Sequence, residues 1–465
     1  MVKALSRKGA WVGVTPAVVD GESRGAVDVI EVRSPWDGRL LGAVPACSPR
    51  QVDQAVSVAL DCHRGPQLPA QRRAAILDRA ADLLADRREV FAASICAEAG
   101  KPIAAARAEA TRAVDTVRFS AAVALTLAGK VPLDAGAAGE GKVGFVRRVP
   151  VGVVAAITPF NFPLNLVCHK VAPAVAAGCP VVLKPAPVTP LTALALVRLF
   201  EEAGLPPGWL NVVTCTDDVA PVLGTHPGVA MVSFTGSRDV GHGLRASAPG
   251  KRVSLELGSN APVIVEADGD WRAAAAKVAV AGFAYSGQTC ISVQRLFVHR
   301  SVHDDLVGDL AGRVSRLRVG DPADEATEVS SLINAAAAER VAAWVAEAVA
   351  DGAVVRCGGT PEEHSVVTPC VLTGVTPDMR VSHAEVLGPV VAVQAYDDFD
   401  EALALANDTR DGLQAGVFTA HLGKALLAAE VLDFGGVLVN EVPIWDSRGD
   451  AARDMTELRQ VVLSA

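Results

Sequence analysis

From residue 151 onward the chain alternates short apolar runs with longer stretches of helical period. VGVVAAIT (151–158) is apolar throughout, as a strand covered on both faces requires. Helical spacing follows over 163–178, then CPVVLK reads as strand and 190–204 as helix. NVVT, a short helix, VAMVSFTG, another helix and VSLEL complete the series. Repeated strand–helix units predict a parallel, doubly wound sheet, which binds ligands beyond the carboxyl ends of its strands. A second α/β series begins after Glu256: APVIVE, a helix around 271–285, RLFVHR, helices near 302–316, 335–350 and 400–407, then GGVLVN. Ahead of both, Ile76, Leu83, Leu84, Val90, Phe91 and Ile95 predict one long amphipathic helix over 71–99, stopped by Gly100 and Pro102. A second helix is expected over 103–128. Segments 142–148 and 455–463 read as strands outside either series. No linker or internal repeat separates the two series, so two closely packed lobes are expected.

The bulk numbers narrow the class. The 465 residues suffice for two or three packed units. Half are hydrophobic and a fifth charged, a globular balance. A net charge of −9 argues against nonspecific binding to nucleic acid or to an acidic membrane surface. The longest uncharged stretch, 278–294, is broken by polar residues and is no membrane span. The first fourteen residues carry no apolar core leading to a cleavage site, so no signal peptide is expected. Nine Cys without CxxC spacing suggest a reducing, cytoplasmic compartment rather than a disulfide framework or a metal site.

A few positions carry chemistry. Cys290 follows small residues in SGQTC, leaving room for a substrate at a nucleophilic thiol. Glu256 ends an apolar strand run in SLELGS, where a carboxylate is costly unless paired or functional. Such a Glu can activate the water that releases whatever the Cys captures. In ITPFNFPLN, Asn161 lies between two prolines after a strand, where its amide can hold a developing oxyanion. Lys184 ends the next strand in LKPAPVTP, within reach of a dinucleotide's ribose or phosphate. Gly236 and Ser237 precede a helix whose N–H groups attract a pyrophosphate. Each signal alone has a plain structural alternative: buried thiol filler, a turn Asn, an exposed strand-end Lys, an ordinary helix cap.

Their order is more specific. Asn161, Lys184, Gly236–Ser237, Glu256 and Cys290, with HAEVLGP beyond, resemble the aldehyde dehydrogenase superfamily over nearly the whole chain. AGKPI, NDTRDGLQAGVFT and GGVLVN look like it too. The resemblance implies a doubly wound NAD(P)-binding domain (1–131 and 151–255), an α/β catalytic domain (256–440) and a small β oligomerisation arm (132–150 and 441–465). It implies oxidation of an aldehyde to an acid: Cys290 attacks, Asn161 and the Cys290 N–H hold the oxyanion, and Glu256 activates the hydrolytic water. NAD or NADP would rest against Thr158, Phe160, Lys184, Gly236, Ser237, Leu257, Glu385 and Leu387. Lys184 and Glu385 would hold the two riboses and Ser237 the pyrophosphate. A homodimer or homotetramer is implied.

The departures concern the pockets. Leu387 stands where the family usually has Phe, Ser259 replaces the second Gly of ELGG, and Cys215 and Asp217 replace glycines after NVV. Pro187 stands where NAD-preferring members often carry Glu, which leaves NAD against NADP open. Only fifteen positions separate Asn440 from Met455, where a glycine-rich segment usually lines the substrate tunnel. CISVQR is similar to a subgroup acting on small functionalised aldehydes such as lactaldehyde and phosphonoacetaldehyde. Arg112 matches an Arg that binds anionic substrate ends in some members. Phe162 and Thr289 stand where some have His and Arg. A small anionic aldehyde is therefore expected. Two other readings stand beside this one: transfer of the thioester to coenzyme A, which Glu256 argues against, and a cofactor-binding but catalytically impaired relative.

Overall fold

The computed structural model describes residues 13–129, 141–444 and 451–464. The first twelve residues, where a leader was sought, lie outside them, as do 132–140 of the expected arm and 445–450 of the shortened segment.

The strands Val153–Ile157, Val181–Lys184 and Leu210–Val212 are buried at every position, which is why they read as continuous apolar runs. They belong to a seven-stranded sheet. From edge to edge its order is Arg252–Leu257, Val229–Gly236, Val153–Ile157, Val181–Lys184, Leu210–Val212, Ala17–Val19 and Glu22–Arg24. The chain fills one side of Val153–Ile157 first, then crosses to the other for Val229–Gly236. All neighbours in this central part are parallel. The reversal leaves a crevice at the carboxyl ends of the strands, the place where such sheets bind ligands. The edge strand Arg252–Leu257 runs through the expected 255/256 boundary and places Glu256 opposite Thr235.

A second seven-stranded sheet runs Val354–Cys357, Cys370–Thr373, Val390–Tyr396, Val293–His299, Ala261–Val265, Gln414–Phe418 and Gly436–Val439. It is parallel except for its first pair. Lys142–Pro150 and Thr456–Ser464 pair antiparallel as a separate ribbon.

One expectation fails. The stretch 71–99 is two helices, Ala70–Asp86 and Arg88–Ala99, separated at Arg87 (φ −104°, ψ 15°). No Gly or Pro marks the break. The Arg87 guanidinium grips Glu202 at the break with two exposed bonds of 2.6 and 2.8 Å, and buried Glu98 ties the second helix to Pro190–Glu202 by accepting from Leu191 N (2.9 Å) and Thr192 N (3.0 Å). Among the described residues no helix is long and apolar enough to cross a membrane. No group of three or more His, Cys, Asp or Glu among them is placed to hold a metal.

Candidate active site

Cys290 follows a turn that its residue types do not favour. Tyr285, Ser286 and Gly287 all have left-handed backbone (φ 50°, 54° and 69°), which costs energy for the two non-glycines. Side chains hold the turn in place. The Tyr285 hydroxyl donates to Ala99 O at 2.7 Å, and the Ser286 hydroxyl to Ser330 O at 2.7 Å. Gln288 Oε1 accepts from Ile333 N at 2.9 Å. At Gly287 a Cβ would stand 2.1 Å from Gly388 O, so no side chain fits there.

Asn161 leaves the end of Val153–Ile157 and reaches this turn. Its amide Nδ2 donates to Gln288 O at 2.9 Å, two residues before the thiol, and its buried Oδ1 has no partner. An amide nitrogen has two N–H groups, so one remains for a substrate oxygen. Behind Asn161 is a brace that the sequence reading missed. Lys101, 1 % exposed, donates to Asn161 O at 2.7 Å and forms an ion pair with buried Glu109. Glu109 in turn accepts from Leu164 N (3.0 Å) and Asn165 N (3.1 Å), closing the start of helix Asn165–Ala177. The Lys101 ammonium also lies 3.8 Å from the Phe162 ring centre and 4.5 Å from that of Tyr285, contacts that favour the cation. Burial lowers the Lys101 pKa while Glu109 raises it. One signal could have found Glu109: it sits on the buried stripe Ala106, Ala110, Ala113, where a carboxylate must be paired.

A cavity of about 780 Å³ opens in front of this assembly. Arg112, Phe162, Glu256, Cys290, Gln414 and Glu441 are among its walls. Helix Ile103–Thr126 supplies Arg112, the edge of the first sheet Glu256, the second sheet Gln414, and the segment just past its edge strand Gly436–Val439 supplies Glu441. Among the described residues Arg112 is the one cation in this lining, and Lys277 pairs with Glu441 at 2.6 Å. The structure thus brings Cys290, Glu256, Arg112 and Phe162 to one space. Asn161 and Thr289 are not part of its wall.

The other expected residues gather at the sheet mouth. Thr158 N donates to Lys184 O at 3.1 Å across adjacent strand ends. Lys184 is 3 % exposed, and its Nζ donates to Asp217 Oδ1 at 2.6 Å. Ser237 precedes helix Arg238–Ser247 without a side-chain capping bond. Close packing against Phe234 and Leu257 explains the glycines: a Cβ at Gly236 would meet the Phe234 ring at 2.6 Å, and one at Gly241 would meet Leu257 at 2.5 Å. Glu385 lies against Gly258, where a Cβ would stand 2.0 Å from its oxygen, and accepts from Ser259 N at 3.3 Å. Burial pushes the Glu385 pKa up to about 7, against the pull of Arg340. Leu387 follows with φ 46°. Three buried hydroxyls here, Thr158 Oγ1, Thr235 Oγ1 and Ser259 Oγ, have no protein partner. Unsatisfied donors beside a buried lysine at strand ends fit a polar ligand such as a dinucleotide.

Known proteins share this fold. Residues 22–450 match the Aldehyde dehydrogenase family. The 3-sulfolactaldehyde dehydrogenase of Priestia megaterium is 42% identical over 425 residues, covering 91% of this chain and 89% of that protein. Aldehyde dehydrogenase 21 of Physcomitrella patens, solved with its reaction product succinate, superimposes with a TM-score of 0.92 at 33% identity, covering 97% of this chain and 98% of that one. An NAD-dependent aldehyde dehydrogenase of Sinorhizobium meliloti gives 0.93 at 34%, covering 98% and 96%. The NADP-dependent glyceraldehyde-3-phosphate dehydrogenase of Bacillus halodurans C-125, complexed with NADP, gives 0.92 at 32%, covering 97% and 99%.

Proposed function

The chain belongs to the aldehyde dehydrogenase family, and we propose that it oxidises a small anionic aldehyde to the corresponding acid through Cys290. The observation that carries this reading is the common cavity: the Cys290 thiol, the Glu256 carboxylate and the Arg112 cation face one space. The Cys290 thiolate adds to the aldehyde carbon, and the carbonyl oxygen becomes an oxyanion. Asn161 Nδ2 and the Cys290 N–H stabilise it, and their placement ahead of the reaction is what makes such donors effective. NAD or NADP, when bound, supplies the hydride acceptor. Hydride loss from the thiohemiacetal carbon leaves a thioester on Cys290. Glu256 takes a proton from water, the hydroxide adds to the thioester, and the C–S bond breaks to release the acid and the thiolate.

Thr158, Phe160, Lys184, Gly236, Ser237, Leu257, Glu385 and Leu387 hold the dinucleotide in this reading. Sheet membership supports a dinucleotide unit of 1–131 and 151–255 and a catalytic unit of 256–440, except that the edge strand Arg252–Leu257 carries Glu256 and Leu257 with the first sheet. The ribbon Lys142–Pro150 with Thr456–Ser464 exposes Val143, Leu458, Val462 and Leu463. We assign it to a homodimer or homotetramer contact, which light scattering of the purified protein tests. A cytoplasmic setting accords with nine Cys outside any disulfide.

Arg112 supports the anionic substrate, and so does the relative named for 3-sulfolactaldehyde. A panel of aldehydes followed by absorbance of reduced dinucleotide, with and without coenzyme A, tests the reading. Arg112→Ala is expected to raise KM for anionic aldehydes by on the order of tenfold or more and to leave neutral aldehydes within about twofold. Equal loss on both would remove Arg112 from recognition, and turnover that required coenzyme A would replace hydrolysis by acyl transfer.

A further inference from the structure

The glutamate that often marks NAD preference in this family is missing here, since Pro187 occupies its place. The structure supplies a carboxylate from elsewhere. Lys184 is the cation at the mouth of the central strands, and only 4% of its side chain is exposed. Its Nζ is bound at 2.6 Å by Asp217, which lies 33 residues later in the loop after Leu210–Val212. The Asp217 side chain is 83% exposed, so it stands at the solvent edge of the mouth. Asp218 follows it. The two loops at this corner, 185–189 and 213–219, read PAPVT and VTCTDDV: they contain two carboxylates and no Arg or Lys. The only cation is therefore already neutralised, and the corner with Lys184 included has a formal charge of −1.

We propose that Asp217, held by Lys184, makes this protein select NAD over NADP, accepting from a ribose hydroxyl and repelling a 2′-phosphate. The physical case is simple. A ribose diol is a neutral donor that can bond to a carboxylate and accept from the lysine. A 2′-phosphate at the same corner carries nearly two negative charges and meets one carboxylate, with a second beside it and no unpaired cation to hold it. Charges a few ångströms apart at a half-exposed site interact by more than a kcal/mol, enough for a tenfold difference in affinity. The proposal rests on the dinucleotide reading above, and its test separates the two.

The test is binding, not turnover. NAD⁺, NADP⁺, adenosine 5′-monophosphate and adenosine 2′,5′-bisphosphate are titrated calorimetrically into the full-length protein, its Asp217→Ala and Asp217→Asn variants, and Asp218→Ala. Wild type is expected to bind NAD⁺ at least about tenfold tighter than NADP⁺, with the same order for the two adenosine fragments. In both Asp217 variants NADP⁺ tightens on the order of tenfold while NAD⁺ weakens a few-fold, so the preference collapses. Asp218→Ala keeps most of it. Equal binding of both dinucleotides by wild type, or a preference unchanged in both Asp217 variants, overturns the proposal and leaves the dehydrogenase reading intact. A collapse just as large in Asp218→Ala also overturns it, since selection would then belong to the loop's general charge. Binding of neither dinucleotide by folded wild type overturns both readings.

Discussion

The two halves of the site solve the same problem in opposite ways. Behind Cys290, buried polar groups are satisfied from within the protein: Lys101 by Glu109 and Asn161 O, Glu109 also by two backbone N–H groups, Tyr285 by Ala99 O. Asn161 Oδ1 and Ser331 Oγ are exceptions. At the sheet mouth, Thr158, Thr235 and Ser259 keep buried hydroxyls without partners, and Lys184 is bound by a mostly exposed Asp217. A group left unsatisfied in a folded protein is costly unless something else completes it. The difference teaches which part of the site is finished before a ligand arrives. The reacting groups are held by an internal network, and the mouth waits for a polar ligand. Several family departures follow the same line: Pro187, Cys215, Asp217, Ser259 and Leu387 lie on the mouth side, while the shortened segment before Met455 concerns the substrate side.

The sharpest test of the Cys290 side separates capture from release. Glu256→Gln keeps the shape of the wall and removes the base. Steady turnover is expected to fall on the order of 10²- to 10⁴-fold, the range supplied by a positioned general base. Rapid mixing should still show one equivalent of reduced dinucleotide per active site, because the thioester forms and then waits. Unchanged steady turnover would mean that another group activates the water.

Next comes the brace. Lys101→Met leaves Glu109 buried without its cation, which is expected to cost about 3 to 5 kcal/mol in urea unfolding. Lys101→Met combined with Glu109→Gln removes both charges and should recover much of that. If the brace positions Asn161, the recovered double variant still loses kcat, by roughly 10- to 100-fold with KM little moved, because a small misplacement of a catalytic group is enough. A double variant with wild-type kcat would show the brace to be a folding device alone, and the contrast between the two halves would weaken.

What could be read from the sequence follows the same division. Strand ends were legible because buried parallel strands are apolar runs, so Thr158, Lys184, Gly236 and Glu256 fall at or just past the ends of theirs. Contacts between distant loops were not. Lys184 ends a strand and Asp217 sits in a later loop, and nothing in either sequence names its partner. Nor do Tyr285 and Ser286 announce left-handed backbone, since that region favours Gly and Asn. The helix break at Arg87 has no Gly or Pro, and the bonds that accompany it run from Arg87 and Glu98 to a helix about a hundred positions away. Glu109 was readable in principle from its place on an apolar stripe, although its partner Lys101 was not.

The smallest expected effect tests the mouth side through Glu385. Burial raises its pKa from the ordinary carboxylate range to about 7 in the ligand-free protein. The protonated form is therefore the one that folding favours: this group's contribution to stability is full below about 4.5 and is lost as pH rises through about 7. A ribose hydroxyl donating to Glu385 has the opposite preference, for the carboxylate. Below pH 7 binding must first expel a proton, and above it the site is ready. Between pH 6 and pH 8 the ionised fraction rises from roughly a tenth to roughly nine tenths, so the Kd for dinucleotide should fall about tenfold and then level off. Glu385→Gln should bind more weakly at pH 8 and lose this slope. Asp217→Ala should keep the slope while changing which dinucleotide is preferred, because in the proposed arrangement the two residues address different riboses. A slope that survives in Glu385→Gln would transfer the titration to another group and leave Glu385 without a part in holding the cofactor.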